Sequence, residues 1–246
     1  RQMCIRDSSC NPHHFPCNDP YLLRGAVRKQ LADGADFIKI LGSSVIPGRR
    51  GDNSLFYPDE LEELVNTTKR EGVYVAVHTT SEEANDVALE AGLYSIEHAN
   101  FWSKGNNDKL IAHGMRSVIV PTLTVNKAFG IEQCCAGLRM AYDAGALLGW
   151  GTDATEEIFL EEPQREFVSR AQLWGISNVE VLKQATINSA KITGTENVCG
   201  SIKVGKRADF AIIEGRPDED LNLFGKPCAY VLKRGQVVAQ DGLVKA

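Results

Sequence analysis

Two short apolar segments that each end in a histidine stand out in the pattern of hydrophobic and polar positions. They are Val73-Tyr-Val-Ala-Val-His78 and Leu93-Tyr-Ser-Ile-Glu-His98, and an amphipathic stretch closed by Gly92 separates them. The pattern predicts a strand, a helix and a second strand, with a histidine at the carboxyl end of each strand. Ligands and catalytic groups of parallel α/β sheets lie at the carboxyl ends of the strands, so this pair is a candidate site.

The same alternation continues along most of the chain. Strands are predicted near residues 36, 73, 93, 116 and 146. Helices are predicted over 19–33, 58–71, 80–91, 107–113, the end of 125–143, 161–174 and 178–190. A βα repeat implies a parallel sheet, either a barrel or a doubly wound sheet. Four of these strands end in a candidate ligand, and a barrel gathers the ends of many strands at one mouth, so we favour a barrel.

The two ends of the chain have a different texture. The first 18 residues show no periodicity, and we leave them out of the fold as a ragged or non-native segment. After residue 198, short strands are predicted within 208–213, 229–233 and 236–239. We therefore expect a partial barrel over residues 19–198 and a small β appendage over 199–246.

Composition and charge exclude several classes of function. The formal net charge is −5, which argues against a nucleic-acid partner. No apolar run approaches the roughly 18 residues of a membrane span. The seven cysteines contain no C-x-x-C pair, so a disulfide framework is not expected.

Lys39 is a candidate because it lies inside a predicted strand, between Ile38 and Ile40. By the two-residue period of a strand, it points to the face opposite these isoleucines. A lysine there can pair with a carboxylate, or burial can lower its pKa so that the neutral amine becomes a carbamate and binds metal. Taken alone, the lysine favours the first interpretation.

The histidines and one aspartate are weighed in the same way. A single buried histidine is more often structural, but His78 and His98 at equivalent strand ends favour a metal site. Glu97 should face the helix layer and be structural. Asp153 follows the predicted strand Ala146–Trp150 and could cap the next helix, and only its combination with Lys39 and the histidines favours a ligand role.

These segments together resemble the amidohydrolase superfamily, in its imidazolonepropionase-like and prolidase-like branch. The matching segments are Gly34-Ala-Asp-Phe-Ile-Lys39, Val75-Ala-Val-His78, Ser95-Ile-Glu-His98, Gly151-Thr-Asp153 and Gly200-Ser-Ile-Lys-Val-Gly-Lys-Arg-Ala-Asp209. Each motif alone is weakly specific, whereas the set in this order is strong. The resemblance covers about residues 19–246.

The resemblance implies a (β/α)8 barrel with a small β-sandwich and one or two divalent metal ions, with zinc expected. Lys39 would be a carboxylated lysine bridging two metals, and His78 and His98 would bind the second. Asp153 would bind the first metal and carry a proton, taking it from the metal-bound hydroxide that attacks an amide carbonyl and passing it to the leaving nitrogen. The implied reaction is hydrolysis of amide or peptide C–N bonds in dipeptides or N-acyl amino acids.

Departures from the family pattern leave alternatives open. The family's His-x-His pair has no counterpart, since His13 and His14 are adjacent, and Thr79-Thr80 follows His78 where many relatives have another histidine. The first three barrel strands are also expected to be missing. The chain could therefore derive from a mononuclear hydrolase of a cyclic amide with an unmodified Lys39, or be a catalytically inactive fragment.

Several further expectations accompany this assignment. The expected partner is a small-molecule amide or dipeptide substrate, with no nucleic acid and no membrane, and a homo-oligomer is compatible with the sequence. No signal peptide is recognisable, which favours the cytoplasm as an expectation.

Overall fold

The computed structural model describes residues 2–5, 19–43, 55–128, 130–154 and 156–245. The chain divides into two compact units. The first comprises Arg1–Val120 and Gly137–Ala146, and the second comprises Pro121–Ala136 and Leu147–Ala246. The predicted division at residues 18 and 198 stays a prediction.

The first unit is built on a five-stranded parallel sheet in the sequential order β1-β2-β3-β4-β5. Its strands are β1 (Gln2–Ile5), β2 (Phe37–Leu41), β3 (Val75–Thr79), β4 (Ser95–His98) and β5 (Val118–Val120). Its first helices are α1 (Pro20–Ala32), α2 (Pro58–Glu71), α3 (Glu82–Glu90) and α4 (Lys104–Ala112). The predicted α/β class with a parallel sheet is confirmed, whereas closure into a barrel stays a prediction.

Helix α1 begins, and helix α2 ends, where the sequence signals it. The carboxylate of Asp19 accepts hydrogen bonds from the N–H groups of Tyr21 and Leu22 at the start of α1, and Pro20 occupies the first helical position. Helix α2 ends at Gly72, whose φ of +71° is the left-handed conformation that favours glycine.

One face of the sheet packs against the helices and forms the core. Ile38, Ile40, Val77 and Ile96 are at most 2% exposed on this face. Ile40 and Val77 line one small cavity together with residues of α2 and α3, which locates the helix layer on their side. Burial of such a side chain stabilises the fold by about 1.5–3 kcal/mol.

The middle of the chain contains two short helices, one in each unit. Helix α5 (Leu123–Ala128) and the 3-10 turn Glu132–Cys135 belong to the second unit, and α6 (Leu138–Asp143) belongs to the first. The second unit continues with α7 (Glu156–Glu161), α8 (Arg165–Trp174) and α9 (Asn178–Lys183). A π-helical turn over Gln184–Asn188 leads directly into α10 (Ser189–Ile192).

A four-stranded antiparallel sheet forms the end of the second unit. Its strands, in sequential order, are β6 (Phe210–Ile212), β7 (Tyr230–Lys233), β8 (Gln236–Gln240) and β9 (Leu243–Val244). Three of the four were predicted, and β9 was missed because two residues carry too little periodicity. That this sheet is part of a β-sandwich stays a prediction.

Three expectations about single elements were wrong. Gln2–Ile5 pairs with Phe37–Ile40 although the first 18 residues were left out of the fold, and residues 6–18 lie outside the described part of the chain. The predicted helix over 161–174 is interrupted, because Pro163 has no N–H to donate and disfavours helical backbone before it. The predicted strand Ala146–Trp150 retains only a single bridge residue, Leu148.

The described residues include no helix long and apolar enough to cross a membrane.

Candidate functional site

Lys39 and His78 lie on the same face of the parallel sheet, opposite the apolar core. Lys39 pairs with Ala76 across the ladder, and His78 lies two residues further along the same strand. Partners in a parallel ladder share a face, and so do residues two apart in a strand. Lys39 is half-buried while Ile38 and Ile40 are fully buried, so the predicted orientation of the lysine is confirmed.

His98 reaches the ring of His78 through an irregular backbone. In a regular strand its side chain would share a face with Ile96 and with its ladder partner Thr79. The backbone instead turns left-handed at His98, with φ +66°. The two imidazole rings meet edge to face with centroids 4.4 Å apart and planes at 70°. The structure therefore brings the two predicted histidines into direct contact.

Left-handed backbone continues after His98. Ala99 has φ +50° and Phe101 has φ +55°. This conformation costs a residue with a side chain roughly 1–2 kcal/mol, and such residues cluster at functional sites. The strain at the end of β4 is a second indication that this position has a function.

Close packing of β2 against β3 fixes the position of His78. Gly42 donates its N–H to the carbonyl of His78 at 2.9 Å. A Cβ at Gly42 would lie 2.6 Å from Cγ2 of Val77, so only glycine fits without a shift. One residue later, the hydroxyl of Ser43 lies 2.8 Å from that of Thr80 and accepts the N–H of Thr80 at 2.8 Å. The segments that follow the two strands are thereby tied together.

A buried asparagine supports the segment after His98. The amide of Asn85, on α3, donates to the carbonyl of Asn100 at 2.9 Å, and both residues are at most 1% exposed. The N–H of Asn100 is 3.4 Å from the carbonyl of Thr79. One side chain of the helix layer and one backbone bond to β3 thus hold the irregular turn after His98.

The surroundings of His98 favour its neutral form. Its pKa lies well below the usual value, first because burial penalises the charged ring, and then because His78 and Lys39 place further positive charge nearby. Neutral imidazole is the form that coordinates metal ions. His78 and Lys39, two of the other predicted residues, thus both lie close enough to His98 to influence its charge.

Glu97 does not take the orientation expected from the sequence. It pairs with His78 across the ladder and accepts a hydrogen bond from the hydroxyl of Ser95 at 2.5 Å. Ser95 in turn pairs with Ala76, the partner of Lys39, so Glu97 shares their face. The expectation was wrong because it carried strand alternation through His98, where the left-handed backbone ends it.

Asp153 belongs to the second unit and is exposed, with φ +49°. Side chains rather than a strand hold the segment that leads to it. Arg170 donates to the carbonyls of Gly149 and Gly151 at 2.5 and 3.5 Å. Trp150 donates its N–H to the hydroxyl of Ser189 at 3.1 Å. These bonds replace the ladder of the predicted strand.

Arg170 and Glu166 were missed in the sequence. They stand four residues apart on a helix, which is the spacing of an ordinary surface ion pair. Both side chains are fully buried in the structure, with Nε and Oε1 2.6 Å apart. The helical periodicity of α8 could have indicated their burial, because Glu166 and Arg170 lie on the same buried side of the helix as Phe167.

The paired imidazoles fit part of a metal site. Within the residues that the structure describes, no three His, Cys, Asp or Glu side chains gather as a metal-binding group. His78 and His98 alone supply two adjacent nitrogen donors, and Lys39 is the nearby basic group. Two neutral imidazoles are a donor set that suits zinc and other divalent transition metals.

Comparison with known proteins adds a family match. The profile of the amidohydrolase family matches residues 8–238. Ochratoxinase of Aspergillus niger is 26% identical over 242 residues, which cover 90% of this chain and 50% of that protein. Imidazolonepropionase of Geobacillus thermodenitrificans is 26% identical over 262 residues, which cover 99% of this chain and 61% of that protein.

A solved structure shows the same relationship. The crystal structure of a Xaa-Pro dipeptidase with methionine bound in its active site is 29% identical, with a TM-score of 0.79. The match covers 92% of this chain and 59% of the dipeptidase chain. The chain therefore spans between half and about three-fifths of the length of these relatives.

Proposed function

Since the chain belongs to the amidohydrolase family, whose enzymes are typically metal-dependent, we propose that the protein hydrolyses amide or peptide C–N bonds at a divalent metal ion. Dipeptides and N-acyl amino acids are the substrate classes to test first. The similarity to a Xaa-Pro dipeptidase supports the first class. The contact between the two imidazoles is the observation that carries the proposal.

His78 and His98 would hold the ion, and zinc is the metal that we expect. Burial keeps both rings out of bulk water, at 8% and 7% exposure. The lowered pKa of His98 keeps its nitrogen lone pair available near neutral pH. A bound divalent ion would polarise the substrate carbonyl and lower the pKa of a water molecule.

Lys39 and Asp153 have proposed roles that follow from the family resemblance. The amine of Lys39 faces the same side of the sheet as His78, and as a carbamate it would bridge two metal ions. Asp153 would hold a metal ion and transfer a proton from water to the leaving nitrogen. Its exposure leaves the carboxylate accessible for such a transfer.

A mononuclear hydrolase of a cyclic amide is the second candidate. The match to an imidazolonepropionase over 99% of the chain favours it, and so does a donor set of two imidazoles within the described residues. In that case Lys39 stays an unmodified amine. A mass increase of one carbon dioxide on Lys39, together with two metal ions per chain, would support the binuclear proposal instead.

Metal content measured by elemental analysis tests the proposal. We expect near-stoichiometric divalent metal in the purified chain, and its loss when Lys39, His78 and His98 are all replaced by alanine. His113→Ala is the matched control, since His113 is a histidine of the same unit with 40% of its side chain exposed. A folded chain with no more metal than the triple variant would contradict the proposal and leave a non-catalytic chain as the alternative.

A further inference from the structure

Arg170 has a hydrogen-bond acceptor for each of its five N–H donors, although it is completely buried. Nε donates to Glu166 at 2.6 Å. Nη1 donates to the carbonyl of Gly149 at 2.5 Å and to Oε1 of Gln184 at 2.8 Å. Nη2 donates to the carbonyls of Pro121 at 2.6 Å and of Gly151 at 3.5 Å. Three of the five acceptors are therefore backbone carbonyls of irregular segments.

Glu166 is satisfied just as fully and anchors the arginine. Besides Nε of Arg170, Oε1 accepts the N–H of Leu123 at 3.3 Å. Oε2 accepts the N–H and the hydroxyl of Thr124, both at 2.7 Å. The carboxylate thus binds the start of α5, while the guanidinium reaches the segment before Asp153. The two side chains thereby connect the start of α5 and the segment before Asp153 to helix α8.

The π-helical turn brings further groups to the same segment. The amide of Asn188 donates to the carbonyl of Leu148 at 3.2 Å, and the hydroxyl of Ser189 accepts the N–H of Trp150 at 3.1 Å. π-Helical turns are rare and occur frequently at functional sites. Every residue from Leu148 to Gly151 is therefore bonded through its backbone to a side chain of the helices.

We propose that Arg170 is a positioning residue for Asp153: its guanidinium fixes the carbonyls of Gly149 and Gly151, and through this backbone it sets the place of the Asp153 carboxylate. Asp153 follows Gly151 by two residues, and its left-handed backbone directs the side chain from there. The inference rests on the proposed role of Asp153 as metal ligand and proton carrier. A merely structural arginine would stabilise the unit without any coupling to Asp153.

Hydrogen exchange followed by mass spectrometry provides the first test, with Arg170→Lys as the variant. A lysine keeps the charge but has three donors for five acceptors. We expect at least tenfold faster exchange for amides within 149–153, and less than twofold change in β3 and β4. Arg139→Lys is the control, because Arg139 makes an exposed ion pair with Asp143 at the same helical spacing. Unchanged exchange at 149–153, or equal acceleration throughout the chain, would overturn the proposal.

A double-mutant cycle on zinc affinity provides the second test. We expect Asp153→Asn and Arg170→Lys each to weaken binding about tenfold, and the double variant to bind no more weakly than either single variant. If the two factors multiply, Arg170 acts independently of Asp153 and the proposal is overturned. If Asp153→Asn leaves the affinity unchanged, the proposed ligand role of Asp153 fails, and hydrogen exchange still decides whether Arg170 fixes the segment.

Ser189→Ala keeps the proposal testable if Arg170→Lys does not fold. This change removes only the hydroxyl that accepts the N–H of Trp150 and bonds the carbonyl of Gln184. We expect faster exchange confined to Trp150 and its neighbours. Thr193→Ala is the matched control, since it removes a hydroxyl at the C-cap of the same helix, where it bonds Ser189, Ala190 and Thr195. Equal effects of the two variants at Trp150 would count against the positioning role.

Discussion

The chain contains two buried polar centres that are built in opposite ways. The imidazoles of His78 and His98 are like groups in contact, at the end of a strand whose backbone turns left-handed. Glu166 and Arg170 are opposite charges on one regular helix, with an acceptor for every guanidinium N–H. The first centre disfavours charge on His98 and keeps its nitrogen lone pair available, whereas every hydrogen-bonding group of the second has a partner. Buried polar groups therefore form the proposed metal site in one case and a fully hydrogen-bonded ion pair in the other.

The largest expected effect on stability comes from Arg170→Met, which breaks the buried ion pair of Glu166 and Arg170. Removal of one partner leaves the buried carboxylate of Glu166 without its counter-charge, and we expect the free energy of unfolding to fall by about 3–5 kcal/mol. Urea unfolding measures the change. Arg139→Met should cost less than about 1 kcal/mol, because its pair with Asp143 is exposed.

A double variant, Glu166→Gln with Arg170→Met, sharpens this expectation. Removing both charges of a buried pair costs much less than removing one. More than half of the lost free energy should return, since the single carbonyl oxygen of the glutamine can still accept from the N–H and the hydroxyl of Thr124. If the double variant were less stable than Arg170→Met, the uncompensated charge would not be the cause.

The pH dependence of stability is expected to report on the imidazole centre. The pKa of His98 in the folded chain lies below the value of about 6.5 in the unfolded chain, so between the two values the unfolded state binds more protons. The free energy of unfolding should therefore be level above about pH 6.5 and fall below it, by at most about 1.4 kcal/mol per pH unit. Denaturant unfolding at several pH values, with a chelator present, measures this slope.

Two variants separate His98 from other acid-labile groups. In His98→Asn the slope just below pH 6.5 should flatten, whereas His113→Asn removes an exposed imidazole and should keep it. An unchanged slope in His98→Asn would show that burial of this ring does not control acid stability.

The smallest expected effect concerns the strained backbone after His98. Ala99→Gly relieves a left-handed alanine, a gain of roughly 1–2 kcal/mol that offsets the lost methyl burial and the greater chain entropy of glycine. We expect a change within about 0.5 kcal/mol in thermal unfolding. Ala88→Gly should cost more than 1 kcal/mol, because Ala88 is equally buried but lies inside helix α3. Equal costs for the two variants would argue that the turn at Ala99 stores no strain.

The pair of histidines could be predicted because the sequence around each one determines its position. Alternation of apolar residues located β3 and β4, and the position of each histidine at a strand end follows from that alternation. The two-residue period also placed Lys39 on the correct face. The two-residue period could not predict the left-handed backbone at His98, which reverses the expected side of Glu97. The segment after His98 is held by the amide of Asn85, which is distant in the strand pattern.

The buried pair of Glu166 and Arg170 was not predicted because its hydrogen-bond partners are distant in sequence. Glu166 binds residues 42 and 43 positions away, and Arg170 reaches a carbonyl 49 positions away. Periodicity within a helix cannot distinguish such a pair from one facing solvent. The same bonds explain why Ala146–Trp150 is not a regular strand, since side chains take the place of strand neighbours.

The π-helical turn over Gln184–Asn188 has a consequence for changes in chain length. It holds one residue more than an α-helical turn would, so deletion of a single residue there would restore a regular helix. Every following position would then rotate by about 100° and shift by about 1.5 Å. Ser189 would leave Trp150 although no residue near Asp153 had changed. The number of residues in this segment is therefore more constrained than their identity, and a single-codon deletion here should be tolerated worse than most substitutions.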